Sequence, residues 1–477
     1  MAEPPEAGGP SGAALVEIDP LARELGERFR DAGFQLHLVG GIVRDSLLGR
    51  SREGAELDMT TSAKPREIVR VLKDWAEQRY VQHARFGTVG ARKGDTWFEI
   101  TTFREEVYPD DERKPAVTFG DDLRTDLSRR DFTFNAMAVS LPDGAFDDPF
   151  GGLRDLAAKR LDTPLEPDLA FSDDPLRMLR AARFVAQLGV TPSERVVGAI
   201  EAMRSRLSIV SRERIRDELD KLVVAPEPGR GLQLLVDTGL ADEFLPELPA
   251  LGLEQDPVHK HKDVLRHTYA VVEGTDPADL TLRLAALLHD IGKPKTREFT
   301  PQGVQFHHHE VVGARMAEAR LRELRYPSVV IDDVRQLIEM HLRFHGYGEG
   351  WSDAAVRRYV RDAGPLLDRL NQLTRADVTT ANLFKAKQFR ALQDDLEERI
   401  ARLAEEENLD AMRPALDGNE IMGHLGLQPG PLVGKAREYL MEVRLEQGPV
   451  ERDEALRLLD EWAASNLPPD ARAPSER

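Results

Sequence analysis

Residues 38–50 read LVGGIVRDSLLGR, and ELDMTT follows at 56–61. In the first stretch Ile42, Val43, Leu47 and Leu48 are spaced for one face of a short helix. Gly40 and Gly41 at its mouth let backbone amides approach a phosphate with no side chain in the way, and Arg44 adds a charge-assisted donor. Paired glycines before a helix also make an ordinary turn, so this stretch alone leaves both readings standing. The second stretch weighs between them. A β-type run alternates its side chains, so Glu56 and Asp58, two apart, point to the same face. Adjacent hard oxygen ligands suit magnesium held against substrate phosphates. A solvent-facing strand edge is the plain alternative. A glycine turn, a short crossover and paired acids in succession match what a two-metal phosphoryl-transfer site needs, with Glu99 in WFEITTF as the candidate third acid.

The chain has 477 residues, enough for about three domains, and a formal net charge of -19. An acidic surface repels phosphate, which argues against nonspecific coating of nucleic acid. It leaves room for an enzyme whose basic groups gather in one cleft, and RTDLSRRDF (124–132) and DPLRMLRAARF (174–184) are basic islands of that kind. There are no cysteines, so disulfides and thiolate metal sites are excluded. No apolar run reaches membrane-spanning length, and the first residues lack a basic region followed by a hydrophobic stretch. A cytoplasmic protein without membrane contact is expected. Residues 1–17 and 467–477, rich in Pro, Gly, Ala and polar residues, read as disordered tails.

Up to about Thr163, β-type runs alternate with helices: FQLHLVG, ELDMTT, VQHARFGTVGAR, TWFEITTF and FTFNAMAVSL. From about Asp168 onward helical periodicity prevails, broken at TPSERV, APEPGRG and YPSVVID. The expected class is α+β, an α/β head followed by an all-helical neck and body. PELPALGLEQDPVHKHKD (246–263) is a plausible joint within the body.

LVGGIVRDSLLGR, ELDMTTSAKP, RRDFTFNAMA, DPFGGLRDL and DDPLRMLRAARF closely resemble, in this order, the motifs of the bacterial class of tRNA nucleotidyltransferases and poly(A) polymerases. The resemblance covers about residues 35–240. It implies a polymerase-β-like head in which Gly41 and Arg44 contact a triphosphate, Glu56 and Asp58 bind magnesium, and Arg130 and Asp131 contact the incoming nucleotide. Glu56 stands where many relatives have Asp, which leaves metal binding intact and alters its geometry. The implied activity is template-independent addition of C and A from CTP and ATP to the 3′ end of tRNA, with release of pyrophosphate. A-only addition or poly(A) synthesis is the alternative. In the family, a flexible loop matching REEVYPDDERKPAVTFG (104–120) is associated with the switch from adding C to adding A. ERIRDELDKL resembles the helical neck that supports the nucleotide pocket, where Arg212, Arg214 and Arg216 either help or form a solvated face.

Asp174 and Arg177 lie three apart, so on a helix they are neighbours, and Arg180 and Arg183 continue the series. Cytosine and adenine both present an amino donor beside a ring-nitrogen acceptor. A carboxylate only accepts and a guanidinium only donates, so an Asp–Arg pair matches both edges. Uracil and guanine present the reverse pattern and leave like facing like, at ~1–3 kcal/mol for each buried unpaired group. By the resemblance Asp174 and Arg177 do this work, while Arg180 and Arg183 serve the triphosphate and the charge balance.

A second constellation lies in RLAALLHDIGKPKT, where His289 and Asp290 end an apolar helical run. Polar neighbours in a buried setting need partners, and a metal ion supplies one. With His267 and Asp377 as further ligands, the ensemble resembles the HD-type metal phosphohydrolases, HDIGKP being its most specific part. The implied cofactor is a divalent transition metal. Phosphohydrolase activity on RNA or nucleotides and a degenerate scaffold are both compatible with these residues. His307, His308, His309, His341 and His345 cluster in the same region. The expected divisions are a head at 18–165, a neck for base selection and RNA binding at 166–250, an HD domain at 251–390 and a helical region at 391–466.

Overall fold

The computed structural model describes residues 16–50, 56–83, 87–107, 116–120, 122–253, 263–301, 303–378, 383–407 and 412–467. Most of both expected tails, the tip of the 104–120 loop and residues 254–262 of the expected joint lie outside the described residues. Two compact units divide the chain, Met1–Pro249 and Ala250–Arg477.

The first unit opens with α1 (Pro20–Asp31), capped by the Asp19 carboxylate, which accepts from the amides of Leu21 and Ala22. Nine strands follow among the described head residues: β1 (Leu36–Val39), β2 (Leu57–Thr61), β3 (Gln78–His83), β4 (Thr88–Lys93), β5 (Thr96–Thr102), β6 (Arg104–Val107), β7 (Ala116–Phe119), β8 (Ala138–Leu141) and β9 (Phe146–Asp147). Seven form one sheet in the order β3-β4-β5-β2-β1-β8-β9, and β6 pairs with β7 as a separate hairpin. β2 runs parallel to β5 with Asp58 opposite Glu99. Burial explains that register: Leu57, Met59, Phe98 and Ile100 enter the core, so the two carboxylates between them face outward together. FTFNAMAVSL is only partly a strand. Thr133–Asn135 form a 3-10 turn, where the Asp131 carboxylate accepts from the Phe132 amide and the Asn135 side chain.

Four short helices complete the head: α2 (Gly41–Leu47), α3 (Pro65–Val71), α4 (Leu123–Ser128) and α5 (Gly152–Ala157). In α2 the buried residues are Val43 and Arg44, while Leu48 is exposed. Of the expected apolar stripe Val43 alone is buried, with the Arg44 cation buried beside it. A two-residue parallel bridge, β10 (Arg160–Leu161) with β11 (Thr191–Pro192), accompanies the neck helices α6 (Pro167–Asp173), α7 (Leu176–Leu188), α8 (Glu194–Met203), α9 (Arg212–Val223) and α10 (Pro228–Asp237). α7 buries Met178, Leu179, Ala181, Ala182, Val185 and Ala186. A Cβ at Gly231 of α10 would lie 2.5 Å from the Ala182 carbonyl oxygen, so only glycine permits that crossing.

The second unit is not all-helical. Between α11 (Val264–Glu273), α12 (Leu280–Leu288), α13 (Lys293–Thr296) and the later helices stands a hairpin of β12 (Arg297–Thr300) and β13 (Gly303–Phe306). The proline and glycine at 301 and 303 turn the chain there, and helical periodicity cannot continue through them. The unit goes on through α14 (His309–Glu323), α15 (Ser328–Met340), α16 (Asp353–Ala363), α17 (Leu367–Asp377) and α18 (Leu383–Glu407). α18 passes unbroken through position 390, where a division was expected. α19 (Gly418–Leu425), α20 (Pro431–Gln447) and α21 (Arg452–Asn466) enclose their own core of Leu416, Ile421, Leu425, Leu440 and Leu459. Among the described residues no helix is long and apolar enough to cross a membrane.

Candidate active sites

In the head, Gly40 takes φ 74°, and a Cβ there would stand 3.1 Å from Arg130 Nη1. The left-handed backbone favours glycine there, and a side chain would also crowd the arginine. Arg44 donates from Nη1 to Asn135 Oδ1 at 2.8 Å and from Nε to Asp45 at 2.8 Å, and its guanidinium lies over the Phe184 ring. Arg130 sits 3.6 Å from Asp126. Asp58 faces the cleft beside Glu99. Loss of water around its carboxylate, then the charge of Glu99, then that of Glu56 raise its pKa to about 6, with Arg130 opposing. Two carboxylates that resist ionising together are suited to share a cation.

One cleft of about 470 Å³ is lined by Gly40, Gly41, Arg44, Asp58, Arg130, Asp131, Asp174, Arg177, Arg180 and Arg183. The residues that the resemblance assigns to the triphosphate, the nucleotide and the base therefore converge with Asp58, but without Glu56. Glu56 sits just before β2, with its charge acting on Asp58. A second cleft of about 310 Å³ shares Asp58, Arg130 and Arg177 and adds Glu99, Arg104, Asp126 and Arg129.

The roles within this convergence differ from the simple pattern. Asp131 is buried and fully engaged. Its Oδ1 accepts from the Phe132 amide and Asn135, and its Oδ2 from Arg180 Nε at 2.9 Å and Nη2 at 2.5 Å. Burial alone would raise its pKa; the charge of Arg180 and the Asn135 hydrogen bond outweigh that and hold it at about 2. Arg183 donates to Glu218 at 2.6 Å, and Arg180 lies 3.5 Å from the same carboxylate. Asp174 and Arg177 are not neighbours on one helix. Asp174 takes φ -143° and ψ 99° at the break between α6 and α7, since the residue before Pro175 is driven toward extended backbone. Asp174 Oδ1 accepts from the Leu176 amide at 3.2 Å and Oδ2 from Arg214 at 2.7 Å. Arg177 donates instead to the carbonyls of Ala170 and Arg129. Both still line the same cleft. Asn135, Phe184 and Glu218 went unrecognised in the sequence, and Arg214 was left there between a supporting role and a solvated face. Only their partners' positions in three dimensions mark them out.

In the second unit His267, His289 and Asp290 form one group of ligand atoms within 4.8 Å of one another, and Asp290, His309 and His341 form another. Asp377 Oδ1 lies 2.9 Å from His267 Nε2 and 3.6 Å from His289 Nε2. From the histidine-rich stretches the fold selects His309 and His341 for this cluster; His345 lines the adjoining pocket, and His307 and His308 are exposed. His289, His309 and His341 each place Nδ1 at 2.6–2.9 Å from the carbonyl three residues earlier. That contact holds the Nδ1 proton and turns Nε2 toward the cluster, as metal-ligating histidines require. Burial pushes His341 down to about 4, aided by the charge of His289, so it is neutral at pH 7. Burial opposes the charge of His289, but Asp290 and Asp377 outweigh it and raise that pKa to about 10. Lys293 adds a 2.6 Å bond to Asp290. The donor set, imidazole with carboxylate, suits a divalent transition metal. A pocket of about 340 Å³ opens onto it, bounded by Leu342, Lys385 and Phe389.

The chain matches three family models: the poly A polymerase head domain over residues 36–162, the probable RNA and SrmB-binding site of polymerase A over 189–251, and the HD domain over 262–406. It is 34% identical to the A-adding tRNA nucleotidyltransferase of Deinococcus radiodurans over 89% of this chain and 95% of that one. It is 40% identical to the CCA-adding enzyme of Geobacillus sp. over 46% of this chain and 54% of that enzyme. The CCA-adding enzyme of Bacillus stearothermophilus, solved in complex with CTP, shares its fold with a TM-score of 0.69, covering 94% of this chain and 99% of the other at 24% identity. Identity sustained along almost the whole of a relative's length places the chain: it belongs to the tRNA nucleotidyltransferase and poly(A) polymerase family, and its second unit carries an HD domain.

Proposed function

We propose that the chain extends the 3′ end of tRNA with C and A from CTP and ATP. The observation that carries this reading is the head cleft where Asp58 meets Gly40, Gly41, five further arginines and the Asp174–Arg177 pair. Gly41 and Arg44, with Arg130, would receive the triphosphate, and Asp174 with Arg177 would read the base edge. The RNA 3′-oxygen bonds to the α-phosphorus as the bond to the β-phosphate oxygen breaks, and pyrophosphate leaves. Glu56 and Asp58, with Glu99 beside them, would hold magnesium, which supplies charge stabilisation at the phosphate and activation of the hydroxyl. Asp131 and Glu218 balance Arg180 and Arg183, which keeps those cations in place between turnovers. A-only addition is the second reading, favoured by the near full-length match to an A-adding relative. Incorporation on tRNA lacking its terminal nucleotides, with each NTP alone and in pairs, separates the two. Glu56→Ala with Asp58→Ala is expected to abolish incorporation while RNA binding survives. Substantial residual addition would mean that the metals are held elsewhere.

The second unit supports a separate hydrolytic activity on phosphate esters of RNA or nucleotides. Its basis is the pair of ligand groups that share Asp290, an arrangement suited to two metal ions. His289→Ala with Asp290→Ala is expected to remove metal-dependent phosphatase or phosphodiesterase activity and to leave nucleotide addition largely intact. A wild-type chain without any such hydrolysis would make the centre structural.

A further inference from the structure

Arg214 and Glu218 lie four apart on α9, so they share one face of that helix. Each grips a different part of the head cleft. Arg214 donates to Asp174 at 2.7 Å, while the buried Glu218 accepts from Arg183 at 2.6 Å and faces Arg180 at 3.5 Å. We infer that α9 is the positioning element for base selection, and that Arg214 is the specificity-determining residue which fixes how the Asp174 carboxylate is presented to the nucleobase. This rests on the reading of the cleft as the seat of CTP or ATP.

The position of Asp174 explains why such a grip is needed. It stands on the break between α6 and α7, outside the regular turns of either helix. The last torsion of an aspartate, sp³ to sp², is broad, so an untethered carboxylate samples many orientations. Two bonds remove that freedom here. The Leu176 amide holds Oδ1, and Arg214 reaches across from another helix to hold Oδ2. A carboxylate has roughly four lone-pair sites, so acceptor capacity remains for an amino group arriving from the cleft. Its direction is set by the two bonds already made. A base with an amino group at the right angle gains the bond, and one with a carbonyl there meets a fixed acceptor it cannot avoid. Glu218, one turn away, holds Arg183 and faces Arg180, so one helix face sets the spacing between the base reader and the adjoining cations.

Arg214 is the residue to test because its side chain is 53% exposed, and its removal leaves no buried hole. In Arg214→Ala, the kcat/KM ratios of CTP over UTP and of ATP over GTP are expected to fall about tenfold, as loss of a charge-assisted bond allows. The KM for tRNA should not change, and Arg214→Lys should recover part of the selectivity. Unchanged ratios would overturn the inference, as would an equal loss for all four nucleotides. A lower KM for CTP and ATP at constant ratios would also overturn it, since Arg214 would then only compete for Asp174. Calorimetric binding of CTP and UTP to wild type and Arg214→Ala, without tRNA, separates this claim from the transferase reading. If wild type transfers nothing yet binds CTP over UTP, the transferase reading fails, and the binding ratio of the variant decides the role of Arg214.

Discussion

Asp174 shows how far a single side chain can be argued from chemistry alone and where geometry takes over. Its acceptor-only character suits the amino groups of C and A wherever the residue sits. Its partners in the protein are less obvious. It is held by Leu176 and Arg214, whereas Arg177 is braced by two main-chain carbonyls. Asp174→Ala is therefore expected to lower discrimination against UTP and GTP by roughly ten- to a hundredfold, the worth of a hydrogen bond to a charged group. Arg177→Ala should act in the same direction with an added loss of packing. Single-nucleotide incorporation with each of the four NTPs, on RNA ending before the C, C and A positions, measures both. If the variants slow uniformly and keep wild-type preference, the pair supports the fold and the template lies elsewhere.

At the scale of elements, α13 and α14 meet so closely at Gly292 that no side chain fits. A Cβ there would lie 2.2 Å from the His309 carbonyl oxygen and 2.7 Å from the Gly313 amide nitrogen. Since both obstacles are backbone, Gly292→Ala must push α14 away, and α14 begins with the candidate ligand His309. Overpacking of this kind costs about 1–3 kcal/mol. The variant is expected to unfold at lower temperature and to gain less stability from added divalent metal than the wild type does. Paired melting curves with and without metal test this, and an undiminished metal-dependent gain would show that α14 carries no ligand. The same logic explains HDIGKP: His289 and Asp290 need a partner helix within backbone contact, and glycine two residues on from Asp290 allows it.

At the scale of the whole molecule, long-range ion pairs tie distant parts of the second unit together. Glu407 at the end of α18 accepts from Arg357 of α16 at 2.7 and 2.9 Å and from Arg444 of α20 at 2.8 Å, with its side chain only 10% exposed. The Arg357 bonds lower its carboxyl below the ordinary 4.5, against the opposing effect of burial, and Arg444 reinforces them. A carboxyl lowered on folding contributes stability that is complete above its unfolded pKa and is lost as pH falls through the folded one. Glu407→Gln should cost roughly 3 kcal/mol near neutral pH, as breaking a buried pair does. The gap between wild type and variant should close as pH drops below about 4, with denaturant midpoints across that range as the measure. A gap independent of pH would assign the loss to packing. The sequence by itself marked out the α/β head before a helical neck, the glycine turn and the HDIGKP run, because each depends on local periodicity or on residues close in the chain. Tertiary structure alone decided which of the clustered histidines join Asp290, that Asp131 balances Arg180, and that α9 supplies Arg214 and Glu218. Those contacts join residues 19 to 51 positions apart, and no local pattern specifies which distant charge a buried group will meet.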